Sequence, residues 1–497
     1  MSRVKIGDLM QQSGVKFGTS GARGLVSRMT DRVCFAYTMG FLQYLMKRWD
    51  LKEGDQVAVA GDLRPSTDRI MAACAAAADY LGCRVANLGK VPSPASANYG
   101  IRMGVPVVMV TGSHIPDDRN GIKFNKQEGE ILKDDEAAIR EEVVDIPDRL
   151  FDGGGSFVEG AVKPLPEATR EAEEMFYRRY VDFFGPGALR GSRIALYQHS
   201  AVGRDLLARV LEGLGAEVTP LGRSERFVPV DTEAIRPEDA EFARRVGSEG
   251  RFDAIVSTDG DSDRPLVAGS DGKWLRGDVL GILVAKFLGA DAVAAPVSCN
   301  TALERSSLFA NVFRTKIGSP YVISSMMDAV RGGAARAVSY EANGGFLTAT
   351  GIDMGGRALA ALPTRDAFLP IIAAVMLARR EGKGVEALVA DLPQRFTASD
   401  VIKNFPVENS SRVLKELASG DSWADLPKID DRFGPPFGPV KTIDYTDGLR
   451  MTFESGDVVH LRPSGNAPEF RVYTEAASEA RALEINGTAM GVIRGMI

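Results

Sequence analysis

The sequence predicts an α/β fold: three similar α/β domains with mixed, mainly parallel sheets and a C-terminal α+β domain, arranged around a central cleft. Apolar, β-branched segments alternate with helical patterns along most of the chain, as in repeated βαβ units. With 497 residues the chain is too long for a single hydrophobic core. The pattern changes in the last quarter, where short alternating segments predict a hairpin.

The individual segments support this fold class. The segment "QVAVAGDLRPSTDRIMAACAAAADYLGCRVANLG" predicts a strand, a loop, a helix and a strand; "SRIALYQHSAVGRDLLARVLEGLGAEVTPLG" repeats that order, and "ADAVAAPVSCNTALERSSLFA" is similar. The later segment "GLRMTFESGDVVHLRPSG" alternates like a hairpin that turns at Ser455 and Gly456. Two charged, proline-rich stretches mark boundaries. The expected domains are 1–155, 165–275, 276–395 and 396–497.

Composition limits the classes of function. A formal net charge of −6 argues against broad nucleic-acid binding, which needs a basic face. No window approaches the ~18 apolar residues needed to span a bilayer, and the N-terminal segment lacks the apolar core of a signal peptide. We therefore expect a cytoplasmic protein without nucleic-acid or membrane partners. The cysteines have no metal-type spacing, which agrees with a reducing compartment; they are Cys34, Cys74, Cys83 and Cys299.

Three apolar strands run directly into small, polar loops. These segments are "VPVVMVTGSHIP", "FDAIVSTDGDSD" and "ARAVSYEANGGF". Ligands of open α/β sheets collect at the carboxyl ends of the strands, so we expect the three loops to face one cleft. Polar loops also occur at the carboxyl ends of strands without any shared function. This alternative explains any one of the three loops well, but it explains the occurrence of all three less well.

The second loop has a carboxylate at every second position, namely Asp259, Asp261 and Asp263, followed by Arg264. Carboxylates this close repel one another unless a cation binds among them. Hard oxygen ligands of this kind suit Mg2+, often together with phosphate. The glycine and glutamate of a calcium-binding EF-hand are not at the required spacing. A solvated acidic turn is the alternative to a metal site.

The first loop places Ser113 at the end of a strand and beside His114. Ser113 could be a nucleophile, a turn residue or a ligand, but it lacks the Gly-x-Ser-x-Gly pattern of a hydrolase nucleophile. A phosphorylated serine would complete the coordination of a metal ion on the aspartates. His114 and Lys123 could then handle protons or neutralise phosphate charge.

Taken together, these segments resemble the α-D-phosphohexomutase family, which contains phosphomannomutase and phosphoglucomutase. The resemblance covers nearly the whole chain, and the segments follow the family's order. The matching segments are "KFGTSGARG", "GDLRPS", "GKVPSP", "TGSHIPDDRNGIK", "DGDSDR", "YEANGG" and "RPSGNAPEFRVYTEA".

The resemblance implies an enzyme that interconverts hexose 6-phosphate and hexose 1-phosphate, with mannose or glucose as the sugar. It implies a phosphorylated Ser113, a 1,6-bisphosphate intermediate that also acts as activator, and Mg2+ held by Ser113 and the three aspartates. Lys123 is the expected general acid/base, assisted by Arg23 and His114. A base role requires a lowered pKa, since lysine ordinarily titrates near ~10.4; a simple charge clamp is the alternative.

The resemblance also implies the residues that bind substrate. Arg264 follows the metal loop, Glu341 and Asn343 would contact sugar hydroxyls, and the C-terminal loop would hold the phosphate that is not reacting. A helix-capping pair is the alternative for Glu341 and Asn343, and a structural arginine at a hairpin end is the alternative for the C-terminal loop. The expected C-terminal phosphate ligands are Arg462, Ser464, Gly465, Asn466 and Arg471.

The chain departs from the family pattern at a few positions. Ile115 stands where the serine loop often has asparagine, and Ser262 replaces a usual glycine between metal-loop aspartates. Asn466 and Ala467 replace the common Thr-Glu of the phosphate loop. Phosphoglucosamine mutase, a non-catalytic sugar-phosphate-binding regulatory protein and a phosphatase are the alternative functions. Small-molecule sugar phosphates are the expected partners, and the enzyme is expected to be a monomer or homodimer.

Overall fold

The computed structural model describes residues 1–18, 20–403, 405–463 and 469–496. The chain divides into two compact units. Unit 1 comprises Met1–Val293 and Gly318–Leu388, and unit 2 comprises Ala294–Ile317 and Val389–Ile497. Among the described helices, none is long and apolar enough to cross a membrane.

The first part of unit 1 is a mixed sheet covered by helices. Its elements are β1 (Ser2–Lys5), α1 (Ile6–Ser13), β2 (Lys16–Phe17), β3 (Gly21–Leu25), α2 (Asp31–Lys47), β4 (Gln56–Gly61), α3 (Thr67–Tyr80), β5 (Arg84–Lys90), α4 (Ser93–Met103), β6 (Val107–Val110), β7 (Arg119–Lys126), β8 (Gly129–Glu130), α5 (Lys133–Glu141) and β9 (Val143–Ile146). The strand order is β2-β3-β7-β6-β4-β5, with β8 paired to β7. β4 is parallel to β5 and β6, and both β4 and β6 are almost wholly buried, which explains their continuous apolar sequences.

The second part of unit 1 repeats the strand–helix alternation. Its elements are α6 (Glu171–Phe184), β10 (Arg193–His199), α7 (Arg204–Gly213), β11 (Glu217–Arg223), α8 (Pro237–Ser248), β12 (Ala254–Thr258) and β13 (Pro265–Ala268). The strand order is β11-β10-β12-β13. β10 is parallel to both of its neighbours, and β13 closes the sheet as an antiparallel edge.

The third part begins in unit 1, crosses into unit 2 and returns. Its elements are α9 (Gly277–Leu288), β14 (Ala292–Pro296), α10 (Ala302–Arg305), β15 (Asn311–Thr315), α11 (Ser319–Arg331), β16 (Ala337–Tyr340), β17 (Phe346–Thr348), β18 (Ile352–Met354), β19 (Arg357–Leu359), β20 (Leu362–Asp366) and α12 (Phe368–Glu381). Within unit 1, β17 pairs antiparallel with both β16 and β20. The apolar helices α9 and α12 are buried almost throughout.

Most of unit 2 is an antiparallel sheet with helices. Its C-terminal elements are β21 (Phe396–Lys403), α13 (Val407–Leu417), α14 (Ser422–Phe437), β22 (Val440–Asp444), β23 (Leu449–Phe453), β24 (Val458–Pro463), β25 (Glu469–Ala476) and α15 (Glu479–Arg494). The strand order is β21-β25-β24-β23-β22. The predicted hairpin is confirmed: β23 and β24 pair antiparallel, and Gly456 at the turn has a φ of +82°.

The mixed α/β class is confirmed, but antiparallel pairing is more common than the alternation of strands and helices predicted. In the first sheet, β7, β3 and β2 add to the parallel strands as antiparallel neighbours. The reason is that short loops connect several of these strands, and a parallel connection would need a longer crossover.

Candidate active site

Side chains from three strand ends of unit 1 meet at one place. Ser113 follows β6, the aspartates of the acidic loop follow β12, and Glu341 follows β16. The Ser113 hydroxyl donates to Asp259 Oδ2 over 2.7 Å. The Arg365 guanidinium then joins the other two loops, with Nε 3.1 Å from Asp263 Oδ2 and Nη1 3.1 Å from Glu341 Oε2. The three loops that the sequence singled out are therefore in contact.

Ser113 is buried and has a left-handed backbone, with a φ of +55°. This conformation costs a non-glycine residue roughly 1–2 kcal/mol, so the surrounding contacts must hold it. The Ser113 N–H donates to Thr111 Oγ1 over 2.8 Å, and its hydroxyl lies 3.4 Å from His114 Nδ1. The strand end thus presents the Ser113 hydroxyl to the acidic loop.

The three aspartates form a compact, buried cluster, in which one carboxylate oxygen from each lies within 4.8 Å of the others. Asp259 Oδ1 accepts the backbone N–H groups of Asp263 and Arg264, each over 3.2 Å. Asp261 Oδ1 and Asp263 Oδ1 are buried and accept no hydrogen bond from the described residues, although Arg264 Nε lies 3.5 Å from Asp263 Oδ1. Buried carboxylate oxygens without donors are suitable ligands for a hard cation.

The cluster also contains positively charged groups. Lys123 Nζ lies 2.6 Å from Asp261 Oδ2 and 2.7 Å from Asp263 Oδ2. Burial alone would lower the pKa of Lys123, but these two carboxylates outweigh burial and raise it. The same pairing reverses the effect of burial on Asp261, so its pKa lies below the ordinary value. Burial and the neighbouring aspartates raise the pKa of Asp259.

His114 is held between a cation and a carboxylate. Arg264 Nη1 donates to His114 Nδ1 over 2.7 Å, so the imidazole proton must reside on Nε2. That nitrogen lies 3.8 Å from Asp231 Oδ2. Burial and the Arg264 charge lower the pKa of His114 to about 3. In this arrangement His114 is neutral, with a fixed tautomer.

The sugar loop is a turn between β16 and β17, so the helix-capping alternative does not apply. Both Glu341 and Asn343 are buried. The Asn343 side-chain oxygen accepts the Gly345 N–H over 2.9 Å, and its backbone carbonyl accepts the Thr232 hydroxyl over 2.7 Å. Gly344 has a φ of +86° and lies against Gly277, and a Cβ atom at Gly345 would lie 2.7 Å from the Arg365 side chain, which together explain the pair of glycines.

Arg23 lies on β3, opposite Gly121 of β7. It forms no hydrogen bond or ion pair with the described residues. Burial and the nearby Arg264 charge lower its pKa to about 10, so it stays a cation at neutral pH. An arginine without an internal partner is suited to binding an anion.

The C-terminal candidates belong to unit 2. Arg462 ends β24, and its Nε lies 2.9 Å from Asp447 Oδ2. Arg471 on β25 is directly opposite Arg462 in the sheet register and lies 3.6 Å from Glu469. The expected ligands Ser464, Gly465 and Asn466 lie outside the described residues, as does the departure at Ala467.

Several residues of the site were missed by the sequence analysis. Arg64 and Ser93 lie in the segments "GDLRPS" and "GKVPSP", where only a resemblance was noted. The Ser93 hydroxyl donates to Asp261 Oδ2 over 2.6 Å, and Arg64 donates to the Ser113 carbonyl over 2.8 Å. Arg365 and Asp231 had no motif around them, so only their position in the fold identifies them.

Comparisons with known proteins agree with this geometry. Residues 14–149 match the family model "phosphoglucomutase/phosphomannomutase, alpha/beta/alpha domain I", residues 276–396 match domain III, and residues 403–489 match the C-terminal domain. A phosphomannomutase of Salmonella muenchen is 42% identical over 99% of this chain and 98% of its own length. This chain belongs to the phosphoglucomutase/phosphomannomutase family. The four-domain division with the boundaries given above stays a prediction.

Two solved structures share the fold of this chain. A phosphoglucomutase/phosphomannomutase family protein from Burkholderia thailandensis aligns over 96% of both chains, with a TM-score of 0.72 and 19% identity. N-acetylphosphoglucosamine mutase from Aspergillus fumigatus, in complex with GlcNAc-6P and magnesium, aligns over 99% of this chain and 98% of its own. Its TM-score is 0.60 and its identity 14%. At these identities the two likenesses concern the fold.

Proposed function

We propose that the protein is a phosphohexomutase that interconverts hexose 6-phosphate and hexose 1-phosphate through a phosphorylated Ser113 and a 1,6-bisphosphate intermediate. The observation that carries this proposal is the hydroxyl of Ser113, held 2.7 Å from Asp259 within a buried carboxylate cluster. The 42% identical phosphomannomutase supports mannose as the first choice of sugar, with glucose second.

The acidic loop would hold the metal ion. Asp259, Asp261 and Asp263 offer hard oxygen ligands, two of which have no donor among the described residues, and phosphorylated Ser113 would add a phosphate oxygen. This donor set fits Mg2+, in keeping with the magnesium complex of the Aspergillus enzyme. When bound, the ion would stabilise the negative charge of the phosphoryl group in transfer.

The chain's own residues would supply the charges and protons. Lys123 carries its proton in this arrangement because its pKa is raised, so it could donate a proton to a leaving oxygen or clamp the phosphoryl group. It could act as a base only after losing its contacts with Asp261 and Asp263. Arg23 and Arg264 would neutralise phosphate charge, while the neutral His114, fixed by Arg264, would present its Nε2–H as a hydrogen-bond donor.

Substrate orientation would come from the sugar loop and from the C-terminal arginines. Glu341 and Asn343 would contact sugar hydroxyls, and Arg462 and Arg471 would hold the phosphate that is not reacting. Two arginines directly opposite in an antiparallel pair repel each other, and a bound phosphate would relieve that repulsion. Because the bisphosphate must return with its other phosphate at Ser113, this grip must accept either end of the sugar.

We also propose that the enzyme is cytoplasmic. The expected sugar-phosphate substrates and the burial of all four cysteines are consistent with a reducing cytoplasm.

The proposal is tested by a coupled assay on mannose, glucose and glucosamine 1-phosphates side by side, with the matching 1,6-bisphosphate present. We expect turnover with mannose and glucose phosphates, and phosphate on Ser113 by peptide mass spectrometry. Ser113→Ala should lose turnover. Full activity of Ser113→Ala would refute the phosphoserine route, and preferred turnover of the glucosamine substrate would favour a phosphoglucosamine mutase.

A further inference from the structure

The guanidinium of Arg64 lies directly beneath the Ser113 loop. Arg64 lies between β4 and α3, at the sheet edge where the parallel strands β4 and β6 both end. Its side chain is completely buried. All five N–H donors of its guanidinium have an acceptor: Nε donates to Asp62 Oδ2, and the two terminal nitrogens donate to four backbone carbonyls of the Ser113 loop. Those carbonyls belong to Ser113 (2.8 Å), Ile115 (2.5 Å), Pro116 (2.7 Å) and Arg119 (3.0 Å).

The partner carboxylate of Arg64 holds the other side of Ser113. Asp62 Oδ2 accepts the Thr111 hydroxyl over 2.8 Å, and Thr111 Oγ1 accepts the Ser113 N–H over 2.8 Å. The carbonyl and the amide of Ser113 are therefore both fixed by one buried ion pair. These are the contacts that maintain its left-handed backbone.

Two neighbouring features leave the guanidinium no room to move. The ring of Phe227 lies 4.0 Å from Arg64 Cζ and covers its face. A Cβ atom at Gly112 would lie only 2.6 Å from Cζ, so that glycine is required for the close approach. A lysine in place of Arg64 would offer only the three donors of a tetrahedral ammonium group, so it would leave some of the loop carbonyls without a partner.

From this geometry we propose that Arg64 is a positioning residue for phosphoryl transfer. It does not contact substrate; it acts by holding Ser113 in line with the reacting phosphoryl group. The inference rests on the proposed function, because it concerns the rate at which Ser113 gains and loses phosphate. A displacement of about 1 Å can cost roughly 100-fold in rate, so removing this contact should affect kcat far more than KM.

The experiment compares Arg64→Ala, Arg64→Lys and wild type in the full-length enzyme. We expect kcat to fall roughly 100-fold in both variants, with KM for the hexose phosphate within a few-fold of wild type. Phosphorylation of Ser113 by hexose 1,6-bisphosphate, followed by mass spectrometry in a single turnover, should slow by the same factor. Added guanidinium ion should partly restore the Arg64→Ala rate, whereas sodium and ammonium chloride at equal ionic strength should not.

The matched control is Arg69→Ala, which removes a half-exposed arginine in the first turn of α3 that pairs with Asp31; its kcat should stay near wild type. A folded Arg64→Ala with wild-type kcat, or one that guanidinium does not restore, overturns the inference. If Arg64→Ala does not fold, Thr111→Val gives the answer: a lower kcat at unchanged KM supports the inference, and an unchanged kcat overturns it. Absence of mutase activity in wild type would refute the proposed function itself.

Discussion

Ser262 lies between two of the clustered aspartates and has a left-handed backbone, with a φ of +57°. Its hydroxyl accepts the Gly203 N–H over 3.0 Å and shares a hydrogen bond with Thr258 Oγ1 over 2.8 Å. A glycine would adopt this conformation without strain. The serine therefore accepts backbone strain in return for two hydrogen bonds, one to the start of α7 and one to Thr258 at the end of β12.

This exchange predicts an order of stabilities. Ser262→Ala keeps the strain and loses both hydrogen bonds, so it should lower the free energy of unfolding by about 1–3 kcal/mol. Ser262→Gly loses the same bonds but relieves strain, so it should be more stable than the alanine variant by about 1 kcal/mol. Urea unfolding of the three proteins measures this order, and an alanine variant at least as stable as the glycine variant would contradict it.

The aspartates predict a metal dependence. Chelation of divalent ions should abolish turnover, and Mg2+ should restore it, because the buried cluster offers oxygens without donors. Asp261→Asn should weaken Mg2+ binding, measured by calorimetry, without loss of the fold. The control is Asp253→Asn, which alters a half-exposed partner of Arg193 and should bind Mg2+ like wild type. Undiminished turnover in metal-free buffer would mean that the cluster is not a catalytic metal site.

At the scale of single residues, the sequence predicted the site residues at strand ends better than it predicted the residues that hold them in place. Ser113 and the aspartates follow apolar strands, so a local pattern marks them. Arg365 approaches Asp263 from 102 positions away in the chain, and no local pattern can report such a contact. The charge state of Lys123 was also unpredictable from sequence, because it depends on two carboxylates that only the fold brings near.

At the scale of elements, the hairpin β23–β24 positions the predicted phosphate clamp. Asp447, in the turn before β23, accepts Arg462 Nε over 2.9 Å and the Ile317 N–H over 2.9 Å. Arg462 is thus oriented by a carboxylate at the base of the hairpin. The alternation of "GLRMTFESGDVVHLRPSG" predicted this hairpin, but the role of Asp447 becomes visible only when both ends of the hairpin are in place.

Removal of Arg462 tests the clamp. Losing one charge-assisted contact to phosphate costs about 1.5–3 kcal/mol, so Arg462→Ala should lower kcat/KM roughly tenfold to a hundredfold. Ser113 should remain phosphorylatable by bisphosphate. Arg432→Ala, which removes an exposed arginine paired with Glu416 on the same unit, should leave kcat/KM unchanged. An unchanged kcat/KM in Arg462→Ala for every hexose phosphate would exclude the clamp.

At the scale of the whole molecule, each unit contains a buried histidine that resists protonation. His199 in unit 1 donates from Nε2 to the Thr258 carbonyl, and His460 in unit 2 donates to the Asp447 carbonyl. Burial lowers the pKa of each to about 4. Below the ordinary histidine pKa near ~6.5, the unfolded chain takes up protons that the folded chain does not bind.

The free energy of unfolding should therefore decrease as the pH is lowered from about 6.5 to about 4. Each histidine contributes a slope of up to about 1.4 kcal/mol per pH unit. His460→Gln should remove its share of that slope, as measured by urea unfolding across this pH range. The same slope in His460→Gln as in wild type would show that acid destabilisation arises elsewhere.

The ion pairs within the acidic cluster have a consequence for the order of folding and metal binding. Lys123, Arg264 and Arg365 lie among the three aspartates, so the chain supplies one cation for each aspartate, and Arg365 also pairs with Glu341. If the cluster binds Mg2+ as proposed, we expect a newly synthesised chain to fold before it acquires the ion, and magnesium scarcity would leave an idle but intact enzyme. Such a pool could be activated by a rise in free magnesium without new protein synthesis.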